Sequence, residues 1–291
     1  MKVSGFAIAR NVVRADYPIE EALLSISSLC DEIIVAVGNS EDGTRNKIES
    51  LTIPHLKIID TVWDDSLREG GRVLADETNK ALSQVATDSD WCFYIQADEC
   101  VHEEDLPLIK KAMLQYLDVK EVDGFLFQYQ HFYGSYDYLG DSRRWYRKEI
   151  RIIRNNKNIK SWKDAQGFRT LDDQKLKVIE IPARIFHYGW VKHPKEQQQK
   201  QVQFHRLWHD DQYMEQKVAN KTEFDYSGID SLVLYNGTHP KVIQERIKRI
   251  NWKFDYDVSR KNFNLKTGFL YWFEKIFGVR LGEYKNYKII R

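Results

Sequence analysis

Three cysteines, Cys30, Cys92 and Cys100, are an odd number without metal-ligand spacing. That excludes a disulfide framework and a cysteine-based zinc site, and a reducing cytoplasm fits best. Net charge is nearly absent as well: 44 Lys and Arg face 43 Asp and Glu, a formal +1, so no overall field argues for nucleic acid. No apolar run approaches the roughly 20 residues needed to span a bilayer. The chain opens on a strand-like run instead of a charged region, an apolar core and a cleavage site, so neither secretion nor membrane insertion is expected. Internal repeats and low-complexity segments are also missing. What is present is a chain of 291 residues, 42% hydrophobic and 30% charged, long enough for a full core in one large domain or one domain plus an extension. Its charge is uneven: residues 241–291 hold 13 Lys and Arg against 5 Asp and Glu, a local excess of 8.

The first half alternates strand and helix signals. Val3 to Ala9 is a short β run, and Pro18 to Leu29 predicts a helix with Ile19, Ala22, Leu23 and Ile26 on one face. Glu32 to Gly38 is apolar almost throughout, as a parallel strand covered on both faces must be. The turn cluster Asn39 to Thr44 leads into a helix through Leu51, followed by a strand from Leu56 to Asp60, a helix from Gly70 to Ala86 and a strand from Trp91 to Gln96. Repeated β-α units with short connections predict a parallel, doubly wound sheet. Further on come a helix from Glu103 to Tyr116, an aromatic strand from Gly124 to Tyr133, and a basic stretch from Arg143 to Asn156 with strand-like spacing. Two runs follow, Leu176 to Ile181 and Ala183 to Trp190, and then helices from Pro194 to about Ala219 and from Pro240 to Trp252. A boundary is expected near 192 to 194, giving a catalytic unit over 1–192 and a helical, basic and aromatic extension over 193–291.

The stretch Trp91 to Cys100 organises the chain. Its apolar run ends in two carboxylates, Asp98 and Glu99, which cannot continue into a core without partners. In an open α/β sheet ligands bind at the carboxyl ends of strands, so Asp98 stands where a divalent cation carrying a diphosphate could be held. The alternative is a pair of solvated turn acids.

In order, these residues resemble the inverting family 2 glycosyltransferases of the GT-A fold: the first strand and Arg10-Asn11, then Cys30 to Val35, Ser40 to Thr44, Asn79 to Leu82, and Trp91 to Glu99. The resemblance covers roughly residues 3 to 190. It implies an α/β fold with a mostly parallel central sheet flanked by helices, a nucleotide-diphosphate sugar donor bound over the first half of that sheet, and Mg²⁺ or Mn²⁺ on a DxD-type motif. It assigns donor contacts to Ala9, Arg10, Asn11, Asn39 and Asn79, and the metal to Asp98 and His187; Arg72, nearby in sequence, is the candidate to neutralise the diphosphate. The sequence departs from the pattern where Gln96 replaces the motif's first Asp, where Val37 or Gly38 replaces an acid, and where Thr78 replaces an Arg.

The chemistry explains these residue types. Displacing a nucleoside diphosphate builds charge on the leaving phosphate, which a fixed cation stabilises. Inversion also needs a carboxylate that takes the proton of the acceptor hydroxyl; the candidates are Asp164, Asp172 and Asp173, and the mixed aromatic and glycine loop from Trp162 to Phe168 favours Asp164. A solvated loop acid is the other reading of Asp164, and a satisfied structural histidine the other reading of His187. Arg147, Arg151 and Arg154 are candidates for phosphate or acceptor contact or for a solvated face; Tyr136, Tyr138 and Trp145 are candidates for a stacking wall. His205 and His209 lack the Glu of a zinc-protease helix and read as a surface pair. Lys266 to Arg291, rich in aromatics and lysine, has the composition of an interfacial helix as well as of one packed on the catalytic unit. The expectation is a metal-dependent glycosyltransferase acting in the cytoplasm, in part peripherally at the inner face of the membrane, on a saccharide or lipid-linked acceptor in surface polysaccharide or glycolipid synthesis. A sugar-phosphate nucleotidyltransferase would want a glycine-rich loop after the first strand, and Ala9 to Asp16 contain no glycine; a non-catalytic sugar- or nucleotide-binding relative is the other alternative.

Overall fold

The computed structural model describes residues 1–67, 69–208 and 221–291. Strands β1 (Val3–Ala9), β2 (Glu32–Gly38), β3 (Leu56–Thr61) and β4 (Trp91–Tyr94) run parallel in the order β4-β1-β2-β3. Helices α1 (Ile19–Ser27), α2 (Thr44–Glu49) and α3 (Arg72–Ser83) connect them. Strand β2 is buried along its whole length, and its side chains divide by the two-residue period of a strand. Ile33, Val35 and Val37 join Ile19, Ala22, Leu23 and Ile26 of α1 in one layer, while Ile34 and Ala36 join Ala81 of α3 in the other. Each fully buried side chain of this kind contributes roughly 1.5–3 kcal/mol.

Past β4 the sheet changes character. Strand β5 (Glu99–Val101) pairs antiparallel with a later strand before helix α4 (Leu106–Gln115), where the sequence predicts only a polar segment leading into a helix. A three-residue strand leaves no periodicity to read; its pairing is made by a partner some 85 residues away. Strands β6 (Gly124–Tyr133), β7 (Tyr138–Gly140) and β8 (Lys148–Arg154) follow, with β8 antiparallel to both β4 and β6. Strands β9 (Ile159–Trp162) and β10 (Gly167–Thr170) form a separate hairpin. Strand β11 (Leu176–Trp190) is one long strand where the sequence reads as two. The break is a shift in its register with β6 between Glu180 and Arg184, around Pro182, which has no N–H to offer the ladder.

Beyond residue 193 come α5 (Pro194–Arg206), β12 (Leu232–Leu234), α6 (Gln244–Lys248), α7 (Leu265–Phe277) and β13 (Tyr287–Ile289). Both short strands return to the earlier part of the chain, β12 on β7 and β13 on β11. Helix α6 is shorter than predicted, and the predicted continuation of α5 past 208 lies outside the described residues. Asn264 caps α7 by accepting the Thr267 N–H at 2.8 Å, and Gly278 ends it at φ 66°. Glu274 fixes α7 by pairing with Arg143 at 3.2 Å and Arg280 at 3.0 Å, leaving Leu265, Phe269, Trp272 and Ile276 exposed. Among the described residues, no helix is long and apolar enough to cross a membrane.

Candidate active site

A cleft of about 1200 Å³ opens at the carboxyl ends of β1, β2 and β4. Its first wall is the loop after β1, where Asn11 adopts φ 51°. The turn cluster after β2 holds that loop from the side: the Asn11, Val12 and Arg14 N–H groups donate to Ser40 Oγ (3.1 Å), Thr44 Oγ1 (2.9 Å) and Asp42 Oδ2 (2.7 Å). Trp63 lies against Gly38, where an added Cβ would be 2.2 Å from the indole nitrogen, so only glycine fits. The Arg10 guanidinium sits 5.3 Å from the Trp63 ring centroid and pairs with Asp65 at 2.8 Å. Asn39 Oδ1 accepts the Trp63 N–H at 3.3 Å. Trp63 and Trp145 both line the cleft, and among the described residues their buried indole N–H groups have no hydrogen-bond partner, that of Trp145 packing against Gly140 as that of Trp63 does against Gly38.

Asp98 stands on the cleft with its backbone carbonyl accepting the Tyr188 N–H of β11 at 2.8 Å. The ammonium of Lys200, on α5, donates to Asp98 Oδ2 at 3.0 Å and to the Gly189 carbonyl at 2.7 Å. It also lies 4.8 Å from the Tyr17 ring centroid. Burial pushes the Asp98 carboxyl up, but Lys200 and His187 outweigh it and hold the acid below the usual carboxylate range. Burial likewise works against the Lys200 charge, and Tyr17 and Asp98 reverse it, leaving that ammonium raised. His187 Nε2 faces Asp98 Oδ2 at 3.7 Å, while His187 Nδ1 meets His131 Nδ1 at 3.3 Å and His131 Nε2 meets the Tyr146 carbonyl at 2.9 Å. A carbonyl only accepts, so His131 Nε2 carries the proton. Burial lowers both rings below the usual histidine value.

Behind this pair Lys192 is buried, its ammonium donating to the Asp16 carbonyl and lying 4.8 Å from the Tyr17 ring centroid. Burial and then Lys200 push Lys192 down to about 7.

Glu99 turns the other way. It is fully buried and bonded to the equally buried Arg151 at 2.9 and 2.8 Å, and accepts the Tyr129 hydroxyl at 2.6 Å. Arg151 also donates to the Gln166 carbonyl at 2.8 Å, which fixes the loop carrying Asp164. In that loop Lys163 and Ala165 have φ of 54° and 60°. Asp164 lines the cleft, and burial raises its carboxyl above the usual range. Glu149 lies nearby with Oε2 buried and, among the described residues, without a hydrogen-bond partner, and it is pushed up to about 8 by burial despite Arg151.

Of the residues singled out from the sequence, the cleft therefore gathers Ala9, Arg10, Asn11, Asn39, Asp98, Asp164 and His187. Arg72 is exposed at the start of α3 and off the cleft, and Asn79 is occupied outside it, accepting the Ser161 N–H at 2.7 Å. Thr78 is buried, its hydroxyl donating to the Leu74 carbonyl at 2.7 Å. None of the three candidate arginines reaches the cleft: Arg151 holds Glu99, Arg147 pairs with Glu283 at 2.9 Å, and Arg154 donates to carbonyls at residues 116 to 122. Arg144 lines the cleft instead, without a carboxylate partner among the described residues. Trp145 is on the wall as expected, joined by Tyr133, Tyr146 and Trp190, whereas Tyr136 and Tyr138 are not. His205 lines the cleft, and His209 lies outside the described residues. Lys200 was not visible as a candidate.

The donor set does not complete a divalent-cation site. Gln96 donates from Nε2 to the Ala165 carbonyl at 3.3 Å, Glu99 is spent on Arg151, and an ammonium already occupies Asp98 Oδ2. Among the described residues no three His, Cys, Asp or Glu side chains converge, whereas such ions are held through several oxygen ligands.

No family model and no curated protein matches the chain. Among solved structures, it is similar to that of S. aureus TarS, with a TM-score of 0.40 and 16% identity over 70% of this chain and 39% of that one. It is also similar to glucosyl-3-phosphoglycerate synthase from Mycobacterium tuberculosis in complex with Mn²⁺, uridine diphosphate and phosphoglyceric acid, with a TM-score of 0.30 and 18% identity over 45% of this chain and 43% of that one. The chain thus spans less than half the length of either protein.

Proposed function

We propose that this chain is an inverting, GT-A type glycosyltransferase that moves a sugar from a nucleotide-diphosphate donor to an acceptor hydroxyl, in the making of a surface polysaccharide or glycolipid. The observation that carries the reading is the cleft at the carboxyl ends of β1, β2 and β4, which brings the Ala9 to Asn11 loop, Asn39, Asp98 and the Asp164 loop together on one lining. Such a rim is where open α/β sheets take nucleotides. The loop after β1 and Asn39 bind the donor; the Trp145 and Tyr146 side binds the acceptor.

In the transfer, the acceptor oxygen bonds to the anomeric carbon as that carbon's bond to the diphosphate oxygen breaks. The electron pair leaves with the nucleoside diphosphate, and the acceptor's proton passes to Asp164, whose raised carboxyl suits a base. Asp98 and His187, the pair the resemblance offers to Mg²⁺ or Mn²⁺, face each other at 3.7 Å but lack the further oxygen ligands such an ion takes. The catalytic unit is assigned to 1–192, with 193–291 supplying Lys200 and the remaining walls. Helix α7 places its exposed aromatic face beside flanking lysines 266 and 275, a combination complementary to an anionic lipid surface. Its polar side is pinned to the loop holding Trp145, whose carbonyl accepts from Arg280 at 2.6 Å, so docking there would bring a lipid-linked acceptor to the cleft.

The test is transfer from a panel of nucleotide sugars. The wild-type chain is expected to consume one of them, and Asp164→Asn to lower the rate about 10²–10⁴-fold while leaving nucleoside diphosphate binding within a few-fold. No turnover of any donor, or full activity in Asp164→Asn, contradicts the assignment.

A further inference from the structure

We propose that Lys200 is the resident cation of this site: its ammonium, held on Asp98, takes the diphosphate of the donor and offsets the charge that develops on it, so that donor binding needs no divalent metal. The proposal rests on the transferase reading above and specifies how it works. Three observations lead to it. The carboxylate oxygen at the cleft that a metal would use, Asp98 Oδ2, already accepts from Lys200 at 3.0 Å. Lys200 is fixed there from its other side by the Gly189 carbonyl at 2.7 Å. Finally, the side chains next to Asp98 have little to add to a metal shell: Gln96, whose Nε2 donates to the Ala165 carbonyl, offers only a neutral oxygen, and Glu99 is spent on Arg151.

The Lys200 side chain is about nine-tenths buried yet on the cleft wall, where low dielectric strengthens its attraction for an incoming anion. Lysine serves phosphate as a compact point charge, which is the part a metal ion plays at such a centre. In the transfer step the bond from the anomeric carbon to the diphosphate breaks, the electron pair goes to the diphosphate oxygen, and Lys200 remains protonated throughout. No metal, oxidant or second co-reactant enters the balance.

The experiment is calorimetric titration of the full chain with a panel of nucleoside diphosphates, in EDTA and then in excess Mn²⁺, for the wild type, Lys200→Met and Lys200→Arg. Expected are wild-type binding changed less than three-fold by the choice of EDTA or Mn²⁺, binding at least ten-fold weaker in Lys200→Met, and recovery to within a few-fold in Lys200→Arg. Urea unfolding of Lys200→Met separates loss of binding from loss of fold, and Lys200→Arg keeps the test decisive should Lys200→Met unfold. Wild-type binding that appears only with Mn²⁺, or Lys200→Met that binds as the wild type does, overturns the proposal and leaves the transferase reading standing. No binding of any nucleoside diphosphate with or without Mn²⁺ overturns both.

Discussion

Asp98 and Glu99 are adjacent in the chain, and each ends in an ion pair, but the two pairs belong to different regions. Asp98 meets a lysine at the cleft wall, with both side chains about one-tenth exposed; Glu99 meets an arginine in the sheet interior, with both fully buried. Asp98 closes the turn after β4 and Glu99 opens β5, so the two side chains leave the chain at the point where it changes direction. At the wall, Lys200 is a compact charge beside open space, able to meet a ligand. In the interior, the planar guanidinium of Arg151 is spent on two Glu99 oxygens and on the carbonyls of Ile150 and Gln166. The first pair is arranged for recognition and the second for holding the Asp164 loop in place.

Breaking the interior pair should have the largest effect. Arg151→Met leaves a buried, unpaired carboxylate and is expected to cost about 3–5 kcal/mol, read by urea unfolding; a loss below 1 kcal/mol would show that Glu99 is rescued by water or protonation. Each region also contains one group whose titration opposes its charge. Lys192, pushed down to about 7, lies behind the wall pair. In the folded state it is neutral above that pH while the unfolded chain still binds the proton, so stability rises with pH from about 7 to about 10.5, by a few kcal/mol. Glu149, pushed up to about 8, lies beside the interior pair. There the folded state holds the extra proton, so stability falls as pH rises from about 4.5 to about 8. Thermal melts of Lys192→Met and Glu149→Gln should lose the first and the second slope respectively; unchanged slopes would contradict the assignments.

The wall pair should be cheaper to break in stability. Asp98→Asn is expected to cost about 1–2 kcal/mol, because Lys200 keeps the Gly189 carbonyl, and urea unfolding checks it against Arg151→Met. A purely surface pair gives the floor of the comparison. Arg45→Ala removes contacts to Glu49 at 3.0 Å and Asp60 at 2.8 Å and should change stability by less than about 0.5 kcal/mol.

Strands β1 and β2 were legible because they are buried on both faces and so read as apolar runs, and Val3–Ala9 and Glu32–Gly38 were predicted with the bounds they have; Gly124–Tyr133, antiparallel to β8, was legible through its aromatic residues. Asp98 was legible for a related reason, as an acid at the point where such a run stops. The fate of Arg147, Arg151 and Arg154 was not, since equal spacing says nothing about which partner each will meet; Glu283, Glu99 and a set of helix-end carbonyls are far off in sequence. Lys200 was hidden most completely. Helix α5 buries Gln197, Gln198 and Lys200, so it shows no apolar stripe, and its contact with Asp98 spans 102 residues. Cation and carboxylate find each other only once the chain has closed around the cleft.

The measurement that bears most directly on this account is the binding of nucleoside diphosphates to Lys200→Met beside the wild type in EDTA, by calorimetry, with folded state verified for both. The account predicts saturable wild-type binding that falls at least ten-fold in Lys200→Met. Equal affinity in the two proteins, or none in either, would contradict it.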